Sequence, residues 1–409
     1  MSAPHLHAAK TPAGTRPPYR RLAIVSSQLQ QHSLSVWNTP QAVRGSTAAA
    51  VRHSWVRVDE DDRCIHLETE QLEATIPKRD PKHWMTGIEK GSFVDKLTGF
   101  REIGDGLMVI DWLMEAGSDE SWGDDFDHAT GVAAAGGGSG GGIAGTDRYL
   151  WYNASWVAPG AQQEGARLAH GTSHRKRAVE GPQLCHRMPP VQPTVIFGPD
   201  FVCIETTFAY QYAAPGRNVG SRWTQRIVFP RGKRYFVLMD QIECVNDSPE
   251  LFLRNDTPGC VRHKRGDTFS EMYLSYLSGP KGVIIPSSEF FDPFPPDLKF
   301  GYRRDTHQTP QHFIRAYHTR DPTSGAPGPW LAGITLSPEV VYEAWASQRP
   351  GDIIVMILEM HGRPTKAGDT FSAAHIVGWF DEIEDMHTLA NAHHGCTVLT
   401  ADKHQWRLS

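Results

Sequence analysis

The chain has 409 residues, of which 39% are hydrophobic and 10% aromatic, so it is long enough to bury a large core. Its formal net charge of -5 comes from interspersed acidic and basic residues. Such a distribution provides no long-range field for nucleic acid or anionic lipid, so neither partner is expected. Because no uncharged apolar run is long enough for a bilayer, no membrane segment is expected either.

The N-terminal region differs in character from the rest. Residues 1–50 contain several prolines without steady hydrophobic periodicity, which predicts a loose arm, and residues 51–409 are predicted to form a single large domain. The apolar run Leu22–Val25, after Arg20 and Arg21, is too short for the core of a signal peptide. A cytoplasmic location is therefore expected over secretion.

The cysteines are far apart and form no C-x-x-C pair. Most of them interrupt apolar, strand-like sequence, which favours buried free thiols in a reducing compartment over a disulfide framework. The six are Cys64, Cys185, Cys203, Cys244, Cys260 and Cys396.

From Ser54 onward the sequence alternates apolar and polar residues as strands do. Cys64–Leu67 and Leu72–Ile76 flank a polar link, which predicts a hairpin with one buried face. A long antiparallel series follows, so the fold is predicted to be mainly β. Its further strands are predicted at Trp84–Val94, Leu107–Met114, Tyr149–Trp156, Phe201–Tyr212, Arg222–Phe229, Tyr235–Val245, Leu251–Val261, Phe269–Leu277, Val283–Ile285, His312–Arg320, Ile353–His361 and Thr370–Phe380.

Only a few accessory helices are predicted. Ser337, followed by a proline and a glutamate, marks the start of a helix that runs to about Gln348. Asp381 opens a second helix that ends near Gly395. The glycine-rich segment 133–145 is predicted to be a flexible loop, because glycine loses the most backbone entropy on ordering.

Dense polar residues inside strand-like sequence are the first candidates for a site. Arg222, Trp223, Arg254 and Asp256 are such residues, and each buried guanidinium needs a carboxylate, carbonyl, water or ligand. The period of two places Arg254 and Asp256 on one face of their strand. They either form a structural ion pair or bind a sugar together.

Two further groups of residues are candidates. Arg315 and Tyr317 share a strand face. Either Arg315 holds a substrate while Tyr317 acts as an acid, or both residues belong to an amphipathic edge strand. His170, His174 and Arg177 belong to a basic stretch that is either a solvated loop or a site in which a histidine acts as base while cations bind hydroxyls or a carboxylate.

Tryptophans are the remaining binding candidates. Trp151, Trp223 and Trp330 are predicted either to stack against sugar rings or to fill the core. Glu359 and His361 have the spacing of two metal ligands, but no third ligand converges with them, so no metal is predicted. No cofactor is expected, and the spacing of oxygen ligands does not support a structural calcium ion.

One local pattern resembles a known family. The strand Leu72–Ile76 and the later segment Gly91–Glu102, with its Asp-Lys-Leu-Thr-Gly sequence, resemble the start of galactose-mutarotase-like β-supersandwich domains. The resemblance covers about thirty residues and implies a large antiparallel two-sheet β-sandwich. Such domains occur in aldose epimerases, glycosidases and polysaccharide lyases, so a carbohydrate-active protein is implied. No catalytic motif of the family can be carried over.

The leading hypothesis is a lyase that cleaves a uronate-containing glycan by β-elimination. This chemistry needs a group that neutralises the carboxylate, a base for the C5 proton and an acid for the leaving oxygen. The residues assigned to these roles are Arg254 or Arg222 as neutraliser, His174 or His263 as base, and Tyr317 as acid.

Two alternatives stay open. A glycoside hydrolase would use paired carboxylates, with Glu205, Asp256, Glu343 and Glu359 as candidates. A non-catalytic sugar-binding sandwich or a sugar epimerase would use the arginines and aromatic residues for binding. The expected partner is a glycan, and a homo-oligomer is compatible with an exposed strand edge.

Overall fold

The structure, a computed structural model, covers most of the predicted β domain. It describes residues 51–78, 87–116, 126–127, 132–133, 176–180, 191–210, 213, 216–277, 282–294, 299–349 and 352–409. The predicted arm 1–50 and all but the first residue of the predicted glycine-rich loop 133–145 lie outside these residues.

Strands dominate the described part of the chain. In chain order they are β1 (Val51–His53), β2 (Val56–Glu60), β3 (Cys64–Thr69), β4 (Leu72–Pro77), β5 (Val94–Asp95), β6 (Leu107–Ala116), β7 (Phe126–Asp127), β8 (Val132–Ala133), β9 (Lys176–Glu180), β10 (Thr194–Phe197), β11 (Phe201–Ala209), β12 (Arg222–Pro230), β13 (Tyr235–Glu243), β14 (Ser248–Gly259), β15 (Val261–Arg262), β16 (Phe269–Leu274), β17 (Val283–Pro286), β18 (Tyr302–Arg303), β19 (Phe313–Arg320), β20 (Pro327–Thr335), β21 (Val341–Arg349), β22 (Ile353–Thr365), β23 (Thr370–Phe380), β24 (Leu399–Ala401) and β25 (Trp406–Leu408).

The strands form two large antiparallel sheets and smaller ones. The nine-stranded sheet has the order β10-β11-β12-β13-β23-β20-β19-β16-β17. The seven-stranded sheet has the order β18-β21-β22-β14-β6-β9, with β15 paired to β22. The first five strands form a third sheet in sequence order, which includes the predicted hairpin β3-β4. The prediction of a mainly β, antiparallel fold is confirmed.

The two large sheets pack face to face and share one apolar core. Leu238 and Trp379 of the nine-stranded sheet and Leu253 and Leu358 of the seven-stranded sheet are buried in the same cluster. Each such side chain stabilises the fold by roughly 1.5–3 kcal/mol relative to its exposed state. The molecule is therefore a large two-sheet β-sandwich, as the resemblance implied.

Polar anchors cross this core. The buried carboxylate of Asp240 on β13 accepts hydrogen bonds from Trp223 Nε1 at 3.2 Å and from Gln225 Nε2 at 2.9 Å. It also accepts one from Asn255 Nδ2 of β14 at 3.0 Å. Because Asn255 belongs to the opposite sheet, this carboxylate ties the two sheets to each other.

A second anchor is the buried guanidinium of Arg315 on β19. It donates from Nη1 to the carbonyl oxygen of Ile357 at 2.7 Å and from Nη2 to that of Trp345 at 3.0 Å. Ile357 and Trp345 are paired across β22 and β21 of the seven-stranded sheet. The guanidinium therefore spans from one sheet to two strands of the other.

Two predicted elements are wrong. The helix predicted from Ser337 to Gln348 is only a 3₁₀ turn, Pro338–Val340, followed by the strand β21. The serine–proline start signal is used for a single turn, and pairing of β21 with strands on both sides overrides helix propensity. Within the predicted strand Trp84–Val94, the described residues hold a lone bridge at Ile88 and then only the start of β5.

The C-terminal helix is confirmed as α1 (Ile383–Ala392). Its buried residues Met386 and Ala390 pack on the face of the nine-stranded sheet that points away from the core, against residues such as Met239 and Ile376. This gives the sheet apolar cover on both faces, which explains why its central strands are apolar on successive residues.

The cysteines in the described part of the chain carry no disulfide. Cys64, Cys203, Cys244 and Cys260 are buried free thiols, and Cys396 is partly exposed. Burial raises the pKa of Cys203 to about 12, so this thiol stays protonated near neutral pH.

The cover that α1 provides can be tested with Met386→Ala. We expect a loss of about 2–5 kcal/mol in the free energy of unfolding, because the substitution leaves a cavity under the helix. Urea unfolding of Thr388→Ala, an exposed position on the same helix, provides the control and should change stability by no more than ~0.5 kcal/mol. Equal losses in the two variants would contradict the packing described for α1.

Candidate functional site

The two faces of β14 carry different chemistry. Leu251 and Leu253 point into the apolar core, and Asn255 reaches Asp240 on the opposite sheet. Because side chains alternate along a strand, Arg254 and Asp256 lie on the face turned away from the core. The prediction that these two residues share a strand face is consistent with this arrangement.

Four charged residues lie side by side across that outer face. Arg303 of β18 pairs in register with Glu343 of β21, Glu343 with Glu359 of β22, and Glu359 with Arg254 of β14. Directly opposite residues have Cβ atoms about 4.5–5.5 Å apart, so each side chain reaches the next. We call Arg303, Glu343, Glu359 and Arg254 the charged row.

Three of the four members of the charged row are almost fully removed from solvent, whereas Arg303 is half-buried. Arg254 is 2% exposed, Glu343 3% and Glu359 0%. Arg254 donates to Glu359 Oε1 from Nη2 at 2.6 Å and from Nε at 3.2 Å. Two neighbouring carboxylates repel each other in a low dielectric, and the ion pair of Arg254 with Glu359 offsets part of that repulsion.

An acidic residue with an altered pKa lies next to the row. Burial raises the pKa of Asp256 from 3.8 to about 7, although the Cys260 thiol, at 3.5 Å from Oδ2, and the nearby Arg349 and Arg254 act in the opposite direction. This carboxyl is therefore able to exchange a proton near neutral pH, which is a property of general acids and bases.

Two buried polar groups lie beside the charged row. Trp345 and Ser347 follow Glu343 on the same face of β21, and the Arg254 guanidinium lies 5.7 Å from the Trp345 ring. Within the described part of the chain, Trp345 Nε1 and Ser347 Oγ have no hydrogen-bond partner. Buried donors without partners cost about 1–3 kcal/mol each, and a bound polar molecule would remove that cost.

Several of the predicted site residues cannot be placed. Trp151, His170 and His174 lie outside the described residues. Arg177 is described only by its backbone, in β9 opposite Glu115. The roles predicted for these four residues remain predictions.

His263, a predicted base, uses both ring nitrogens in local structure. Its Nδ1 accepts from the backbone N–H of Gly266 at 3.1 Å, and its Nε2 is 3.1 Å from Oε1 of Gln348. Nε2 must therefore carry the hydrogen, and the ring is neutral and 5% exposed. This arrangement stabilises the turn after β15.

Three predicted residues lie in or across the core between the sheets. Trp223 is fully buried there and bonds to Asp240, and Arg315 forms the second anchor. Tyr317 is also fully buried, and burial together with the Glu102 carboxylate raises the pKa of its hydroxyl well above the ordinary value. None of the three lies on the same face of the sandwich as the charged row.

The last two predicted residues are elsewhere. Trp330 belongs to the outer face of the nine-stranded sheet, where its ring stacks on His318 at a centroid distance of 4.6 Å. Arg222 is exposed at the start of β12, with its Nε 3.9 Å from Glu243 Oε2. Among the predicted residues whose side chains the structure describes, Arg254 and Asp256 lie together at the charged row and the others lie apart from it.

Sequence reasoning missed Arg303, Trp345 and Ser347. It named Glu343 and Glu359 as hydrolase candidates, and it noted Glu359 also for its metal-ligand spacing to His361. Their proximity depends on the register between β18, β21, β22 and β14, of which only β21 and β22 are adjacent in sequence. The alternation Glu343, Trp345, Ser347 is itself a strand signal, but the helix prediction for that segment concealed it.

Neither a metal-binding cluster nor a membrane-spanning helix occurs in the described ranges. There, no three His, Cys, Asp or Glu side chains are arranged to hold a metal ion. Among the same residues, no helix is both long and apolar enough to cross a bilayer.

Comparison with known proteins gives similarity of structure only. No family model and no curated protein matches the sequence. An alpha-N-acetylgalactosaminidase from Bifidobacterium bifidum matches over 84% of this chain at 11% identity and a TM-score of 0.40. The chain spans only 38% of that enzyme's length.

A galactose mutarotase-like protein from Clostridium acetobutylicum matches over 80% of this chain and 99% of its own, at 6% identity and a TM-score of 0.39. Because the TM-scores of both matches are below 0.5, no site residue or activity is taken from either protein.

The energetics of the charged row can be tested with a double-mutant cycle. Arg254→Met should cost about 3–5 kcal/mol in the free energy of unfolding, because it leaves the Glu359 carboxylate buried without its partner. The double variant Arg254→Met/Glu359→Met should recover much of that loss, as measured by urea unfolding. Lys366→Met removes an exposed pair with Asp247 and should change little. A double variant no more stable than Arg254→Met would contradict this account.

The raised pKa of the Asp256 carboxyl predicts that the stability of the fold depends on pH. The pKa of this carboxyl is higher in the folded than in the unfolded state, so its contribution is complete below 3.8 and lost as the pH rises through about 7. The stability difference between the wild type and Asp256→Asn should therefore fall with pH across that window, in urea unfolding at a series of pH values.

Asp402→Asn is the matched control. Backbone N–H groups of His404 and Gln405 lower the pKa of this exposed carboxyl. The stability difference between the wild type and Asp402→Asn should therefore rise with pH. A pH-independent difference for Asp256→Asn would contradict the raised pKa.

Proposed function

We propose that this protein is a carbohydrate-active enzyme and that the charged row is its acid–base centre. The observation that carries the proposal is the in-register burial of Glu343 and Glu359 between two arginines. A buried ionic network is often less stable than an apolar one of the same volume, so its presence in a large apolar sandwich favours a functional role.

Hydrolysis of a glycosidic bond is the reaction that the described residues support best. Such enzymes use two carboxyl groups on either side of the bond, one as acid and one as base or nucleophile. Glu343 and Glu359 are neighbours on adjacent strands, and Asp256 adds a carboxyl whose pKa of about 7 suits proton exchange.

β-Elimination on a uronate remains the second reaction. In the described residues, Arg254 already pairs with Glu359, both nitrogens of His263 are engaged, and Tyr317 lies between the sheets. The elimination therefore depends on His174 as base, which lies outside the described residues. Sugar epimerisation and binding without turnover are outcomes that the assay below separates from both reactions.

The test is to incubate the purified full chain with neutral and uronate-containing glycans and to follow two products. New reducing ends without the ultraviolet absorbance of an unsaturated uronate would support hydrolysis. A rise in both signals would establish elimination and overturn the assignment to the charged row. Formation of an epimer without chain cleavage would indicate epimerisation. If no product formed from any glycan, the proposed activity would be contradicted.

Glu343→Gln and Glu359→Gln test the assignment of residues. Each should lower turnover by about 10²–10⁴-fold, because each removes a proton-transfer group while keeping the side-chain shape. Glu205→Gln is the matched control, since Glu205 also pairs with an arginine, Arg226, but lies on the nine-stranded sheet. Circular dichroism should show that all three variants are folded. Unchanged turnover in the first two variants would refute the assignment.

A further inference from the structure

A separate cavity lies where α1 meets the start of β19. Its volume is about 430 Å³, which falls within the range of small-molecule sites. No residue of the charged row contributes to it. The lining consists of Ser275, Tyr276, Gln308, Thr309, Pro310, Gln311, His312 and His387.

A chain of hydrogen bonds forms one wall of the cavity. The Tyr273 hydroxyl is 2.6 Å from His387 Nε2, His387 Nδ1 is 2.9 Å from His312 Nδ1, and His312 Nε2 is 2.7 Å from Asn391 Oδ1. His387 and Asn391 are four residues apart on α1, so they lie on the same face of the helix.

The direction of each bond in this chain can be derived. The amide oxygen of Asn391 only accepts, so His312 Nε2 carries a hydrogen. If the His312 ring is neutral, its Nδ1 accepts, which requires a hydrogen on His387 Nδ1. His387 Nε2 then accepts from the Tyr273 hydroxyl. With both rings neutral, one set of tautomers therefore satisfies every contact.

Protonation of both rings would break the chain, because two Nδ1–H donors cannot bond to each other. Burial, with a further contribution from His312, lowers the pKa of His387 in agreement with a neutral pair. The rings are held at a centroid distance of 4.9 Å and an interplanar angle of 65°. The two rings are therefore fixed in place as one wall of the cavity.

The described lining favours uncharged ligands. Among the residues that the structure describes, it contains hydroxyl, amide, imidazole and phenol groups but no Lys, Arg, Asp or Glu. A charged molecule would lose hydration there without gaining a counter-ion, whereas hydroxyl groups can exchange hydrogen bonds with the amides of Gln308 and Gln311, which are exposed.

We propose that this cavity is a second binding site, for an uncharged polyhydroxylated ligand. The shared chemistry is that of a neutral sugar, either a free monosaccharide or the end unit of a glycan. Gln308, Thr309 and Gln311 supply the hydrogen bonds, and His312 and His387 supply that wall. The proposal does not depend on the charged row or on turnover.

The experiment is to measure binding by saturation-transfer NMR and calorimetry on the full chain. The probes are glucose, galactose, glucuronate and a neutral oligosaccharide of glucose. We expect the neutral sugars to bind and glucuronate to bind at least about 10-fold more weakly. Tighter binding of the oligosaccharide would identify a glycan end as the source, and equal binding would identify a free monosaccharide.

Gln311→Trp, which places a large ring at the mouth of the cavity, should weaken this binding at least about 10-fold. Gln405→Trp, at an exposed glutamine outside the cavity, is the matched control and should bind as the wild type does. The proposal is overturned if neutral sugars do not bind, if glucuronate binds equally well, or if Gln311→Trp binds like the control.

The same variants keep the two sites distinguishable. Glu343→Gln should retain the binding that Gln311→Trp loses, and Gln311→Trp should retain any turnover that Glu343→Gln loses. Binding that is lost in Glu343→Gln and kept in Gln311→Trp would assign the sugar to the charged row and overturn the second site.

Discussion

The arrangement of the sandwich depends on the hydrogen bonds that the Asp240 carboxylate accepts. This carboxylate is buried between the two large sheets and accepts hydrogen bonds from Trp223 and Gln225 of its own sheet and from Asn255 of the other. A buried carboxylate must be compensated in this way, and the compensation is possible only when the strands are correctly placed. Together with Arg315, it specifies how one sheet lies on the other, whereas apolar packing alone would tolerate other alignments.

This alignment also determines what lies on the opposite face of β14. Once Asn255 points at Asp240, Arg254 must point away from the core. Pairing of β14 with β22 then places Glu359 beside Arg254, and pairing of β22 with β21 adds Glu343. The polar anchor inside the sandwich and the charged row outside it are thus consequences of the same strand register.

The predictions failed and succeeded for identifiable reasons. Strands such as Thr370–Phe380 were predicted well because both their length and their apolar content are local properties. The segment after Ser337 was predicted as a helix because its start signal is local, whereas its pairing with two strands is not. Arginines and aromatic residues were recognised as important, but Arg315 and Trp223 proved to hold the two sheets together.

The sequence by itself determined the β class, the two-sheet architecture through a short family resemblance, the C-terminal helix and the shared face of Arg254 and Asp256. These follow from the period of two, from capping signals and from composition, all of which act over a few residues. The tertiary structure decided which polar residues meet. Glu343 and Arg254 are neighbours within one row only because two strands far apart in sequence pair with β22, and pairing register is a property of the whole sheet.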